Sequence, residues 1–321
     1  MDIELLRERA AIIRDARSFF DARGYLELDT PLLSPDLIPE SCLEVFETHR
    51  VMPGGATKPY WLVPSPEVWM KKAIARHGAS VYQVCKCFRN GESSGFLHSP
   101  EFTMLEYYTV GAGYMDSLAL TEELFAFLSK GRGEHCPAPP FERLTVAEAF
   151  AMHAGFDLFE AAGREGGLED EAIRLGLEPR SGEDGAVLFD LIFIHAVEPE
   201  LRRGRPVALL DYPAFVPCLA RPGAGGRTVE RWELYHGGIE LANCFSEETD
   251  AERVRLFFES EAAAKEERAL VRHRVDRLYW RNFAGSRPFP RCSGVAMGLD
   301  RLVMALLGKQ AIDAVLPFPM G

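Results

Sequence analysis

The chain has 321 residues, 47 % of them apolar and 26 % charged, an ordinary globular composition that can bury a large core and excludes a disordered or fibrous chain. Its formal charge of −12 disfavours a protein built to grip a nucleic-acid backbone, which needs a basic face to displace counterions, without excluding a local basic patch. Small molecules or proteins are the expected partners. The N-terminal MDIELLRERAAIIRDAR mixes acids into what a signal peptide keeps basic and then apolar, and no run reaches the ~20 apolar residues of a membrane span. A cytoplasmic protein with no membrane partner is expected.

Ile3, Leu6, Ala10, Ile13, Phe19 and Phe20 recur at helical spacing, and Gly24 follows where a left-handed cap would sit, so an amphipathic helix opens the chain. GYLELDTPLLSP alternates like a strand that Pro31 ends or places on an edge. Further strand signals come at WLVPSPE, SVYQVCKCFR and EFTMLEYYTV. The last two flank the polar loop NGESSGFLHSP, so residues 80–110 read as a long antiparallel hairpin. Asp116 heads a helix, and Thr145 with Glu148 forms a capping box. About 145–205 reads as a mostly helical insertion in a single domain spanning 1–321, since no linker separates it from the strands on either side. Strands return at RPVALLDYPAF and WELYHGGIELANCF, a long helix follows Asp250, and SGVAMG runs into the helix LDRLVMALLGK. Helices around many antiparallel strand signals indicate an α+β fold. Seven scattered cysteines form no disulfide framework, and Cys85 with Cys87 reads as a pair of small apolar residues more readily than as half a zinc site.

Strand periodicity gathers the candidate chemistry. In the hairpin, Phe102, Met104, Glu106 and Tyr108 share one face, as do Val81, Gln83, Cys85, Cys87 and Arg89 on the other strand. An arginine beside a polar loop suits a phosphate, although a solvated rim with a surface ion pair explains it equally well. Glu240, Asn243 and Glu247 form a second group. Asn243 and Glu247 share parity and Glu240 does not, so all three meet one ligand only through a bulge or a strand end. In the third group, Gly294 and Gly298 permit close backbone approach, and Arg301 stands in the first turn of a helix, where a positive residue has the wrong sign for the dipole. Ser65 and Glu67 lie in a rigid Pro-Ser-Pro turn, with Glu67 either a ligand group or a partner for helix N-terminal donors. No P-loop, dinucleotide fingerprint, zinc-protease or nucleophile-elbow motif is present.

GYLELDTPLL, FRNGESSGFLHSPEFTMLEYY and GVAMGLDRLVM resemble, in chain order, the three signature motifs of the class II aminoacyl-tRNA synthetases. HSPEFTMLE and IELAN are similar to the lysyl branch, and the resemblance covers nearly the whole chain. The core begins almost at Met1 with no anticodon-binding domain ahead of it, which resembles the truncated paralogues of that branch that attach (R)-β-lysine to a lysine side chain of elongation factor P. Ala296 fits those paralogues, where the lysyl branch has Gly, and one methyl in a close-packed pocket biases between α- and β-amino acids.

The resemblance implies ATP-dependent activation of (R)-β-lysine or lysine as an adenylate, followed by transfer to elongation factor P. Arg89 and Arg301 would be the catalytic pair on the α- and γ-phosphates, Phe102 would stack on adenine, His98 would help with the phosphate tail and Glu240 would bind Mg²⁺. Glu92, Ser99, Leu241 and Gly298 would complete the ATP site. Glu247 and Tyr108 would take the side-chain ammonium and Glu67 the other amine, with Ser65, Asn243 and Ala296 beside them. Motif 1 around Pro31 implies a homodimer. The motif 2 loop is one residue longer than usual, Ser99 replaces an Asn, and Cys244 replaces a Gly next to the expected bulge. Competing outcomes are transfer to tRNA, disfavoured by charge and by the missing domain, transfer to ammonia, for which Glu247 has the wrong sign, and a non-catalytic regulatory paralogue, disfavoured because Arg89, Glu240 and Arg301 are all retained.

Overall fold

The structure is a computed structural model that describes residues 2–92, 95–133, 136–202, 204–285 and 288–319. Helix α1 (Ile3–Asp21) starts at Asp2, whose carboxylate accepts the Glu4 N–H, and Gly24 follows with φ +75°. The strand expected in GYLELDTPLLSP is reduced to two short pieces, β1 (Leu26–Glu27) and β2 (Leu33–Ser34), on either side of Pro31, which lacks the donor a continuing ladder needs. Strands β3 (Glu47–Val51) and β4 (Thr57–Leu62) join β2 in a small sheet of order β2-β4-β3; of the strand expected at WLVPSPE only Trp61 and Leu62 belong to β4, because Pro64 and Pro66 break the ladder before a helix opens at Glu67.

After α2 (Glu67–His77) come β5 (Val81–Phe88) and β6 (Glu101–Val110), the expected hairpin, with Cys87 opposite Phe102, Gln83 opposite Glu106 and Val81 opposite Tyr108. Residues 93 and 94 of its loop lie outside the described residues. Helix α3 (Tyr114–Ser129) begins two residues before Asp116. That side chain sits at the third helical position and accepts the Gly113 N–H at 2.8 Å. Strand β7 (Glu142–Thr145) runs into α4 (Val146–Ala149) through the Thr145–Glu148 capping box. Helices α5 (Leu158–Ala162), α6 (Gly167–Arg174) and α7 (Gly185–Ile192) follow before β8 (Val207–Leu210), and they enclose their own core around Phe150, Phe189 and Phe193. The chain continues through β9 (Arg231–His236), β10 (Ile239–Ser246), α8 (Ala251–Arg268), β11 (Cys292–Gly298) and α9 (Leu299–Leu306).

Among the described residues the large sheet has the order β1-β5-β6-β11-β10-β9-β8-β7. It is antiparallel through the middle, but β1 joins β5 and β7 joins β8 in parallel, a feature that local pattern does not specify because each pair is joined by a long crossover. One face is covered by α1, α3 and α9, whose Ile12, Phe19, Phe20, Phe125 and Leu302 pack on Tyr82, Tyr107, Trp232 and Val295. With alternate side chains spent on that core, the opposite set on β6, β11 and β10 is left to build a site.

Candidate active site

The central strand β11 sets the shape of the site. Gly294, Ala296 and Gly298 share its uncovered face, Gly294 between Tyr108 and Phe245, Ala296 between Glu106 and Asn243, and Gly298 beside Met104. A line of small residues flanked by long ones makes a trough. At Gly294 the requirement is steric, because an added Cβ would collide with the Tyr108 ring and the Glu247 carboxylate. Gly298 has an ordinary backbone angle and faces only the Arg301 side chain, so the strictness lies at Gly294.

One end of the trough opens into a cleft. Arg89, Glu92, His98, Ser99, Phe102, Glu240, Leu241, Asn243, Ala296, Gly298 and Arg301 all line it. Arg89 lies just past β5, its guanidinium carbon 5.3 Å from the centre of the Phe102 ring, and its Nε is buried without a hydrogen-bond partner. Arg301 is held on three sides, donating to the Glu240 carbonyl at 3.0 Å and the Leu97 carbonyl at 3.3 Å, with His98 Nε2 at 2.9 Å. The unfavourable sign of Arg301 in the first turn of α9 is offset by its neighbour. Asp300 is buried, pairs with Arg9 at 2.6 Å and accepts the Thr103 N–H at 2.6 Å, which fixes α9 to β6. Burial and then the Arg301 charge hold the His98 pKa below the ordinary imidazole value, while its ring lies 3.4 Å from Glu92. The Ser99 hydroxyl is spent on the Glu101 carbonyl at 2.7 Å.

The parity conflict in β10 is resolved by a bulge. The register against β9 shifts between Glu240 and Ala242, so Glu240 turns to the same face as Asn243, whose amide lies 3.5 Å from it. Cys244 stays in register with Trp232 and Val295 in the core, downstream of the bulge. Glu240 is 3.7 Å from the Arg301 guanidinium, and burial, then the Glu233 charge, raise its pKa above the usual carboxylate range.

Glu247 does not join Glu240 and Asn243. It lies beyond β10 and is buried beside Lys71, 2.6 Å from the lysine ammonium, which also binds the Glu67 carboxylate. The Glu67 side chain therefore runs forward along α2 to Lys71 and does not fold back on the helix N-terminus. The Glu67 N–H is taken by Ser65 Oγ at 3.1 Å. Ser65 also donates to Glu106 at 2.6 Å, and the Tyr108 hydroxyl donates to the other Glu106 oxygen at 2.7 Å. Burial, then the Glu67 charge, push the Glu106 pKa up to about 8. Lys71 and Glu40, whose charged neighbours include Glu67 and Arg89, lie at this site and were not among the residues singled out from the sequence, whereas Glu106 was placed on the hairpin face by strand periodicity. Lys71 was legible: Val68, Lys71 and Ile74 follow helical spacing, which puts a lysine on the buried stripe of α2. Glu40 lies in an irregular loop and carries no such signal.

The trough thus joins a cleft with two arginines to a buried acidic pocket around one lysine. Residues 3–321 match the tRNA synthetases class II (D, K and N). Curated relatives named elongation factor P–(R)-beta-lysine ligase are 36 % identical in Avibacterium paragallinarum (98 % of this chain, 95 % of that protein), 36 % in Yersinia enterocolitica (98 % and 95 %) and 37 % in Vibrio cholerae (99 % and 95 %). The chain belongs to the class II tRNA synthetases of the D, K and N group.

Proposed function

We propose that the protein is an ATP-dependent ligase that activates (R)-β-lysine, or lysine, as an aminoacyl-adenylate and transfers it to a lysine side chain of elongation factor P. The observation that carries this reading is the pairing, on one sheet face, of an arginine cleft with an acidic pocket. In the first step a carboxylate oxygen of the amino acid attacks the α-phosphorus of ATP and pyrophosphate leaves. In the second, a neutral acceptor amine attacks the adenylate carbonyl, the amide forms, AMP leaves and the amine loses a proton. Catalysis is positioning and charge stabilisation by Arg89 and Arg301, with no covalent enzyme intermediate. Phe102 stacks on the base, Glu92, His98, Ser99, Leu241 and Gly298 surround the nucleotide, and Tyr108 with Glu247 receives the side-chain ammonium. Glu67 takes the other amine, beside Ser65, Asn243 and Ala296. The unpartnered Arg89 Nε supports a phosphate there.

Glu240 is the residue that would hold Mg²⁺, since its incompletely compensated carboxylate faces the cleft and one carboxylate with phosphate oxygens is a common Mg²⁺ environment. When bound, the ion neutralises phosphate charge. In this reading residues from about 145 to 205 are an insertion into one catalytic unit working in the cytoplasm. No described helix is long and apolar enough to cross a membrane. The active species is a homodimer, supported by Leu26 and Leu33, exposed on the edge strands that flank Pro31. Sedimentation at micromolar concentration should give a dimer, and an active monomer would contradict it.

The acceptor is tested by incubating enzyme, ATP, Mg²⁺ and (R)-β-lysine separately with elongation factor P and with total tRNA. The expected result is a mass increase on the protein. Acylated tRNA with unmodified protein overturns the assignment. Ala296→Gly, which opens the trough between Glu106 and Asn243, should shift activation toward α-lysine.

A further inference from the structure

Two carboxylates that approach one another in a buried pocket cannot both stay ionised at neutral pH unless a cation is built in beside them. Glu67 and Glu247 come from different elements, one opening α2 and the other following β10, and they meet only at the Lys71 ammonium, whose side chain is 1 % exposed. A lysine at that depth would ordinarily lose its proton to burial. Here the charges of Glu247 and Glu67 outweigh burial and hold its pKa well above the ordinary ammonium value. Its other charged or titratable neighbours are Glu40 from the loop ahead of β3, Glu106 and Tyr108 from β6, Tyr279 and Cys292. None of these is a second cation.

We propose that Lys71 is a positioning residue for substrate: it draws Glu67 and Glu247 onto one shared ammonium and leaves one of their two negative charges for the ammonium end of a diamino acid. This rests on the reading of the pocket as the amino-acid site. The geometry favours a role beyond stability, because the Glu247 carboxylate also abuts the floor that Gly294 keeps open beside Tyr108. Burial raises the Glu247 pKa to about 7 against the opposing Lys71 charge; without the cation, burial and repulsion would keep one of the two glutamates protonated above neutral pH, and an incoming ammonium would have to displace that proton. Raising the pH restores the second charge.

The test is ATP–pyrophosphate exchange with (R)-β-lysine and with lysine as a function of pH, run on the wild type first. Wild-type protein that exchanges with no diamino acid refutes the proposed function and not the role of Lys71 alone. Given wild-type exchange, Lys71→Met should raise KM at neutral pH by about 10-fold or more with kcat nearly unchanged, and the KM should fall again as the pH is raised about two units. The wild-type KM should fall by a much smaller factor over that range, because burial raises the Glu247 pKa only to about 7 while Lys71 stands beside it. A KM–pH profile parallel to wild type, or a loss confined to kcat, overturns the proposal. Lys71→Ala with added propylammonium, the fragment removed by the substitution, should recover KM, whereas propanol should not. A variant that stays unfolded with propylammonium present assigns Lys71 to stability alone and also overturns it.

Discussion

Arg89→Ala and Arg301→Ala are each expected to lower amino-acid-dependent ATP–pyrophosphate exchange by at least ~100-fold, the loss typical of removing a charge clamp on a transition state. The two arginines should fail for different reasons. Arg89 stands beside Phe102 with a buried nitrogen that has no hydrogen-bond partner among the described residues, so its truncation removes a group available to a ligand. Arg301 is already fixed by two carbonyls and His98, and it presents a guanidinium whose orientation needs no reorganisation when phosphate arrives. Arg89→Lys should recover little, since a point charge does not reproduce a planar fork. Thermal melts of each variant separate lost chemistry from lost fold. Exchange that survives either truncation in folded protein removes that arginine from the site.

The second large effect belongs to Glu247. Glu247→Gln keeps the shape of the side chain and removes its charge, so Lys71 is left with Glu67 alone and a substrate ammonium finds no surplus negative charge. The expected loss in kcat/KM for lysine-type substrates is about 2 to 5 kcal/mol, the cost of stranding a buried charge. Norleucine, which has lysine's length without the terminal ammonium, serves as the comparison. An equal loss on both substrates would mean that Glu247 does not read the ammonium.

Much of this site was legible because the chemistry sits on strands, where a period of two assigns faces without knowledge of the fold. The hairpin brings Arg89, Phe102, Glu106 and Tyr108 to one face, and the small residues at 294, 296 and 298 are spaced two apart. Grouping by proximity in sequence was less secure. Glu240 and Glu247 are seven residues apart yet serve opposite ends of the trough, because the strand carries one into the cleft and the chain beyond its end carries the other to Lys71. The parallel edges were hidden for a similar reason: β1 finds its partner more than fifty residues on, and nothing local to Leu26 names Val81. Lys71 shows a different gap. Its helical position predicted burial, while its charge argued against it, and only the two carboxylates from distant segments reconcile them.

The bulge at Leu241 makes β10 sensitive to counting as well as to identity. Strand residues are read in twos, and one extra residue acts as a frameshift that moves everything upstream to the other face. Removing Leu241 would turn the bulge into a regular ladder with Glu240 still opposite Tyr235 on the face of Asn243, whereas pairing residues 240–243 regularly, with Leu241 kept in the ladder, would put Glu240 on the face of Ala242 and Cys244, toward the packed helices. What the cleft requires of this strand is a reading frame, and Leu241 is the residue that sets it.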